Sequence, residues 1–333
     1  MLKQRLDYVD IFRGFALVVM ISLHIFTTLS TSDIYTKTPY YIGALNSPTI
    51  LPPPLLFTFV SGMSLFLFIQ NRKDKMPKGK IFLEAFKRYG KYILISLPFT
   101  VFMFGLNTYL TWNEAIQGIG LTAIFVALFL LLFRNPLTLI ASIFITSLLR
   151  VFLLSNVQLT GNLITDTLMN SLFRGWFSVL NFFPLMIAGI LFITLIKKNV
   201  PCKKLFIFSF AFLIFGIILH LIGSKINYYD RSFAFTFAAI GWASLIYSVI
   251  YSIYKKSEKS KFWDFFKVMG IAAFFIYIMH FLFIIKPLQF FGIADKMNDL
   301  QSWLIAIPLV ILVYIISKGY LKIRMKLPAF LRL

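Results

Sequence analysis

The sequence predicts an all-α polytopic membrane protein with about ten transmembrane helices. Apolar residues make up 59% and charged residues 14% of its 333 residues, whereas a soluble domain averages about 45–50% and about 25%. The apolar residues come in runs of roughly 18 to 20, the length that crosses a bilayer. We therefore expect a single integral membrane domain over residues 1–333, in the cell membrane.

Hydrophobic segments that could span the membrane recur along the whole chain. The predicted spans are 11–30, 50–70, 92–110, 116–133, 137–155, 176–196, 205–223, 234–254, 268–286 and 302–317. The stretch LPPPLLF (51–57) is expected to act as a stiff stop before the second helix. Arg13 interrupts the first apolar run, and no clear small-residue cleavage site follows it, so we expect this span to be retained rather than removed as a signal peptide.

The basic residues follow this topology. The chain has 33 Lys and Arg against 12 Asp and Glu, a formal net charge of +21, which could suggest a nucleic-acid partner. With the N-terminus in the cytoplasm, however, most of them fall in inside segments, as the positive-inside rule requires. This distribution predicts that both termini are cytoplasmic and that the charge meets anionic lipid head groups rather than nucleic acid.

Two further features restrict the classes of function. The single cysteine, Cys202, allows neither a disulfide framework nor a cysteine-based metal site, and no metal site is expected. The absence of a convincing internal repeat weakens a transporter interpretation, since many transporters are built from repeats. The sequence leaves the oligomeric state open, with a homodimer as one option.

The first span, DIFRGFALVVMISLHIF (10–26), carries Asp10, Arg13 and His24. Eleven residues at about 100° each come to about 20° past three full turns, so Arg13 and His24 share one helix face, about 16 Å apart. Asp10 is within reach of an i,i+3 ion pair with Arg13. The predicted orientation places this pair at cytoplasmic depth and His24 in the outer half.

The polar stripe formed by Asp10, Arg13 and His24 has two interpretations. Arg13 can be an anchor that extends to the inner interface, neutralised by Asp10, while His24 bonds a neighbouring helix. Alternatively, the stripe is functional, because ionisable residues inside a span are costly and usually face a cavity or partner. Histidine also suits proton transfer near neutral pH.

Four segments, in order along the chain, resemble those of the transmembrane acyltransferase superfamily. That group contains the acyltransferase-3 family and the relatives of heparan-α-glucosaminide N-acetyltransferase. The first-helix segment RLDYVDIFRGFALVVMISLHIF matches in Asp10, in Arg13-Gly14, and in an arginine followed by ten residues and a histidine. The others are PLLFTFVSGMSLFLF (54–68), NFFPLMIAGILF (181–192) and MGIAAFFIYIMHFLFII (269–285).

The resemblance implies transfer of an acyl group, usually acetyl, from cytoplasmic acetyl-CoA or another acyl-CoA to a sugar or glycan on the other side. It implies that His24 is the general base or an acyl relay, with Asp10 orienting Arg13 beside the phosphates or pantetheine of the donor. Arg88 and Lys91 occupy the place where the family often has basic residues opening the third helix. The phosphates of CoA are well matched by hydrogen bonds from such basic side chains. The positive charge expected in any cytoplasmic loop explains Lys91 equally well.

Other polar residues are candidates for acceptor binding. His280, in the family-like late helix, has a binding or structural role; Arg150 either extends to the outer interface or lines the acceptor cavity. Asp166 and Arg174, in an outer loop with Trp176, suit contact with a sugar.

One departure restricts the choice of branch. The branch with the lysosomal sugar N-acetyltransferase has asparagine at the position of His24 and its key histidine at the position of Tyr35. The chain therefore resembles the microbial and acyltransferase-3 branches. The alternative function is a proton-coupled transporter or lipid-linked-sugar flippase that uses the same stripe as a relay.

Overall fold

The protein is predominantly helical in the part that the structure, a computed structural model, describes: residues 6–31, 53–112, 114–224 and 232–326. The α-helices are α1 (Asp7–Leu29), α2 (Pro53–Gln70), α3 (Lys78–Phe104), α4 (Leu106–Leu110), α5 (Ala115–Leu132), α6 (Pro136–Asn156), α7 (Leu163–Met169), α8 (Val179–Lys197), α9 (Cys202–Leu221), α10 (Phe233–Lys256), α11 (Phe262–Ile271), α12 (Ala273–His280), α13 (Lys286–Phe290) and α14 (Asp299–Ile323). Two π-helical segments, Asn170–Arg174 and Phe281–Ile285, and a 3₁₀ turn, Arg324–Lys326, complete the elements.

Nine helical stretches in these ranges are long and apolar enough to cross a membrane. They are Asp7–Leu29, Pro53–Gln70, Leu106–Leu132, Pro136–Asn156, Leu163–Lys197, Cys202–Leu221, Phe233–Lys256, Ala273–Phe290 and Asp299–Ile323. Each coincides with a predicted span, so the prediction of an all-α, multi-pass integral membrane protein is confirmed. The cytoplasmic placement of both termini stays a prediction.

The third predicted span, 92–110, differs from the structure. Helix α3 ends before Gly105, whose φ of +88° suits glycine because it has no Cβ. Lys87, Arg88 and Lys91 lie inside the same helix, so its uncharged part begins only at Tyr92. From there to Phe104 the helix rises about 20 Å, less than the roughly 30 Å of a hydrocarbon core. This explains why α3 is not among the nine.

The contacts divide the chain into two compact units. The first comprises residues 1–57 and 249–333, and the second comprises residues 58–248. The single domain expected over 1–333 stays a prediction.

In the first unit, α1 and α11 cross through two glycines. A Cβ added to Gly14 would lie 1.8 Å from the carbonyl oxygen of Phe266, and one added to Gly270 would lie 1.8 Å from that of Asp10. Small residues let membrane helices approach this closely. The crossing therefore needs glycine on both helices, and it holds the start of α1, with Asp10 and Arg13, against α11.

In the second unit, α2 and α8 meet in the same way. A Cβ on Gly62 would lie 2.0 Å from the carbonyl oxygen of Met186, and one on Gly189 would lie 2.0 Å from that of Phe59. Gly62 belongs to the family-like segment 54–68 and Gly189 to the family-like segment 181–192. These two segments thus share one structural task, a backbone-to-backbone helix crossing.

Candidate active site

At the start of α1, Arg13 hydrogen-bonds both its own helix and α11. Its Nη1 donates to Asp10 Oδ1 at 2.9 Å and to the carbonyl oxygen of Gly270 at 3.2 Å. The Asp10 side chain is 5% exposed and that of Arg13 24%, so the carboxylate is buried while the arginine side chain is partly exposed. The expected i,i+3 ion pair is present, and the α11 carbonyl adds a contact that the sequence did not indicate.

The other end of α1 is attached to the start of α14. Ser30 Oγ donates to Asp299 Oδ1 at 2.7 Å, and the backbones of Leu29 and Thr31 each bond Met297, both at 2.9 Å. These bonds hold the last turns of α1, which carry His24, in a defined position.

His24 is paired with a second histidine. Its Nδ1 lies 2.9 Å from Nε2 of His280, and the rings are nearly parallel, at 14° with centroids 5.2 Å apart. The other nitrogen of His280, Nδ1, lies 3.1 Å from the carbonyl oxygen of Ile276. His280 is 1% exposed, whereas His24 is half-buried. The two family-like segments 5–26 and 269–285 therefore converge on one hydrogen-bonded imidazole pair.

The pair lies in apolar surroundings at a helix irregularity. Helix α12 ends at His280, and the π-helical segment Phe281–Ile285 begins at the next residue; π-helical turns are rare and frequently occur at functional sites. The ring of Phe281 lies 5.0 Å from that of His24 and 4.2 Å from that of His280. His280 also borders a cavity of about 290 Å³ whose other lining residues are apolar: Phe275, Ile276, Met279, Phe283, Ile284, Val313 and Ile316.

In the second unit, a basic cluster forms around Phe68 near the end of α2. The guanidinium carbon of Arg72 lies 3.9 Å, and that of Arg88 5.3 Å, from the centre of the Phe68 ring. Glu84 accepts a 2.7 Å hydrogen bond from Arg72 Nε. Lys91, one helix turn further, is half-buried. Glu84 offsets the charge of Arg72. Arg88 and Lys91 therefore leave this surface positively charged, which suits phosphate.

The three remaining predicted residues, Arg150, Asp166 and Arg174, hydrogen-bond backbone groups in the same unit. Arg150, 5% exposed, donates from Nε to the carbonyl oxygen of Phe173 at 3.1 Å, and Arg174 donates to that of Val157. Asp166 accepts from the backbone of Thr160 at 2.8 Å and of Gly161 at 3.0 Å. These contacts support the loop around 157–174; acceptor binding by Arg150, Asp166 and Arg174 stays a prediction.

The model of the family described as heparan-alpha-glucosaminide N-acetyltransferase, catalytic, matches residues 5–225. This match covers most of the chain. The protein belongs to that family. No curated protein matches the sequence.

Membership in the heparan-alpha-glucosaminide N-acetyltransferase family confirms the predicted superfamily and indicates acetyltransferase activity. The matched range includes Asp10, Arg13 and His24, whereas His280 lies beyond its end. Tyr35, the position of the histidine in the lysosomal branch, lies outside the described residues.

The sequence of this acetyltransferase-family protein did not predict two features of the site. The pairing of His24 with His280 joins residues 256 positions apart, so no local pattern could indicate it. Arg72 had one signal, its place in the basic run 72–91, but the same run is explained by the positive-inside rule.

Proposed function

We propose that the protein transfers an acyl group, acetyl in the first instance, from cytoplasmic acyl-CoA to a hydroxyl or amine of a sugar or glycan on the opposite side of the membrane. The observation that carries this proposal is the imidazole pair His24–His280 in a member of an acetyltransferase family. On the same helix, Arg13 is held by Asp10. Arg13 lies about 16 Å from His24 along the helix axis.

In the proposed reaction, His24 is the general base. The acceptor oxygen or nitrogen attacks the thioester carbonyl carbon as its proton passes to a ring nitrogen of His24, and the carbon–sulfur bond then breaks. The leaving CoA thiolate takes the proton from the imidazolium, so the products are the acylated acceptor and CoA thiol. Such proton transfer typically contributes about 10² to 10⁴ in rate. An acyl-histidine intermediate is the other route that this residue permits.

The donor is assigned to the basic groups. Arg13, oriented by Asp10, is proposed to meet the phosphates or pantetheine of acyl-CoA, and Arg88 and Lys91 to meet its phosphates. Arg72 is added to this set because it shares the Phe68 ring with Arg88. Arg150, Asp166 and Arg174 are proposed to contact the acceptor. His280 was predicted to bind the acceptor or to have a structural role, and its bond to His24 favours the positioning role argued below.

The test uses purified protein in detergent and in proteoliposomes. Titration calorimetry with acetyl-CoA should show binding, and CoA thiol should be released from acetyl-CoA when a glucosamine or N-acetylglucosamine acceptor is present. In proteoliposomes, donor and acceptor should react when they are on opposite sides. Absence of CoA binding by the intact protein overturns the proposal; movement of a sugar that needs no acyl-CoA and survives His24→Ala would favour the transporter alternative.

A further inference from the structure

We infer that His280 is a positioning residue that sets the tautomer of His24. His280 accepts a hydrogen bond from the Nδ1–H of His24, and this leaves Nε2 of His24 as the basic atom. The inference rests on the proposed function insofar as it assigns Nε2 of His24 a catalytic task. The hydrogen-bond arrangement itself can be tested without activity.

The argument begins at the carbonyl oxygen of Ile276. It lies 3.1 Å from Nδ1 of His280, and a carbonyl oxygen can only accept. The proton of this hydrogen bond must therefore be on Nδ1 of His280. In a neutral imidazole the other nitrogen is then an acceptor, which makes Nε2 of His280 the acceptor in the 2.9 Å contact with His24.

The neutral form of His280 follows from its surroundings. The ring is 1% exposed, and the other residues of the cavity that it borders are apolar. No carboxylate in the described ranges is hydrogen-bonded or ion-paired to either histidine. A buried imidazolium without a carboxylate partner would be costly, so His280 accepts through Nε2 rather than donating through both nitrogens.

The consequence concerns His24. Its Nδ1 carries the hydrogen that His280 accepts, so its Nε2 has a lone pair in the neutral ring. Which nitrogen of a histidine is protonated is set by the hydrogen bond that the other nitrogen makes. Among the described residues no side chain or backbone group is hydrogen-bonded to this Nε2, and His24 is only half-buried. Nε2 is therefore the atom offered to the acceptor.

The same bond assists the reaction. When Nε2 of His24 takes the acceptor proton, the ring becomes an imidazolium, and its Nδ1–H keeps donating to the neutral Nε2 of His280. No proton needs to move between the two histidines. This is the orienting task of the third member of a Ser-His-Asp triad, performed here by an uncharged acceptor that can remain buried in an apolar region.

The structure also explains how His280 reaches His24. His280 is the last residue of α12, and the π-helical segment Phe281–Ile285 follows directly. Phe281 packs against both rings, which restricts their rotation. His280 therefore acts through position and hydrogen bonding, without touching the reacting atoms.

Kinetics on a matched pair of variants test the inference. In His280→Gln the side-chain amide oxygen can take the place of Nε2 and accept from His24, whereas in His280→Asn the shorter amide reaches only the place of Nδ1. We expect His280→Gln to keep kcat within a few fold, and His280→Asn and His280→Ala to lower kcat by about 10²-fold with little change in either KM. His220→Asn, which alters the third histidine of the chain, should leave kcat unchanged. Thermal melting identifies variants that fail to fold.

Nitrogen NMR of ¹⁵N-histidine-labelled protein provides a readout that needs no turnover. The three histidines can be assigned with the His220→Asn variant. We expect hydrogen on Nδ1 and a bare Nε2 for both His24 and His280, and loss of this preference at His24 in His280→Ala. A hydrogen on Nε2 of His24 in the native protein overturns the inference, as does equal kcat for His280→Gln and His280→Asn. If the native protein transfers no acyl group, the proposed function fails, while the NMR still decides the tautomer.

Discussion

Gly14 of α1 and Gly270 of α11 form a reciprocal contact in which each glycine faces the backbone of the other helix. The Cβ position of Gly14 is 1.8 Å from the carbonyl oxygen of Phe266, and that of Gly270 is 1.8 Å from the carbonyl oxygen of Asp10. The carbonyl oxygen of Gly270 in turn accepts from Arg13. The family-like pair Arg13-Gly14 therefore combines a helix crossing and the anchoring of the arginine.

Gly14→Ala should destabilise the protein, because the added methyl group overlaps backbone that has no flexible side chain to move. Overpacking typically costs about 1–3 kcal/mol, and backbone overlap places this substitution at the upper end. Thermal melting in detergent measures it. Gly319→Ala is the matched control, since Gly319 is also helical and has no atom within 4 Å of its Cβ position; it should be neutral or slightly stabilising. Equal melting temperatures for the two variants would contradict the tight crossing.

Arg13→Ala should mainly lower the affinity for acetyl-CoA, whereas His24→Ala should mainly lower turnover. Losing a charged hydrogen-bond donor typically costs about 1.5–3 kcal/mol, so Arg13→Ala should weaken acetyl-CoA binding by about 10- to 100-fold. His24→Ala should leave that affinity nearly unchanged and lower turnover by about 10² to 10⁴. Calorimetry and CoA release measure the two effects. The assignment is wrong if His24→Ala weakens donor binding as much as Arg13→Ala does.

Asp10→Asn should weaken acetyl-CoA binding less than Arg13→Ala. The amide oxygen can still accept from Arg13 Nη1, which also keeps its bond to Gly270, so the guanidinium stays roughly oriented while the charge assistance is lost. Calorimetry should give an affinity between those of the native protein and Arg13→Ala. An Asp10→Asn affinity equal to that of Arg13→Ala would show that the charge on Asp10, rather than its geometry, decides the orientation of Arg13.

The roles of Arg72 and Arg88 can be tested with two donors that differ in the 3′-phosphate. If they meet the 3′-phosphate of CoA, Arg72→Ala and Arg88→Ala should each weaken acetyl-CoA binding by about fivefold, as expected for exposed charge pairs, and leave acetyl-dephospho-CoA binding unchanged. The effect should shrink at high salt. Lys87→Ala is the control, because Lys87 is an exposed cation on the same helix. A similar loss for Lys87→Ala would indicate general charge attraction instead of a site.

Arg150→Met separates support of the loop from acceptor binding. The substitution keeps a long side chain and removes the bond to the carbonyl oxygen of Phe173. A buried group left without its partner typically costs about 1–3 kcal/mol, so we expect a lower melting temperature; an unchanged acceptor KM would limit Arg150 to support of the loop. The exposed Arg134→Met should change neither quantity. A raised acceptor KM with unchanged melting would assign Arg150 to the acceptor instead.

Much of the site could be predicted because it lies along one helix. The i,i+3 pair of Asp10 and Arg13 and the shared face of His24 follow from helix geometry, and the structure contains the pair as expected. The end of the third predicted span differs from the structure, because hydropathy alone did not indicate that Gly105 ends α3. Asp166 and Arg174 were chosen by composition, and their hydrogen bonds within the loop depend on a backbone path that composition does not encode.

The amino-acid sequence by itself determined the class of protein, the approximate position of nine spans and the polar stripe of the first helix, because hydrophobic length and helical periodicity are local properties. Only the tertiary structure decided which groups meet. Gly14 meets Gly270, and His24 bonds His280, across separations of 256 residues. Such pairings depend on how helices cross, which cannot be derived from the periodicity of a single helix.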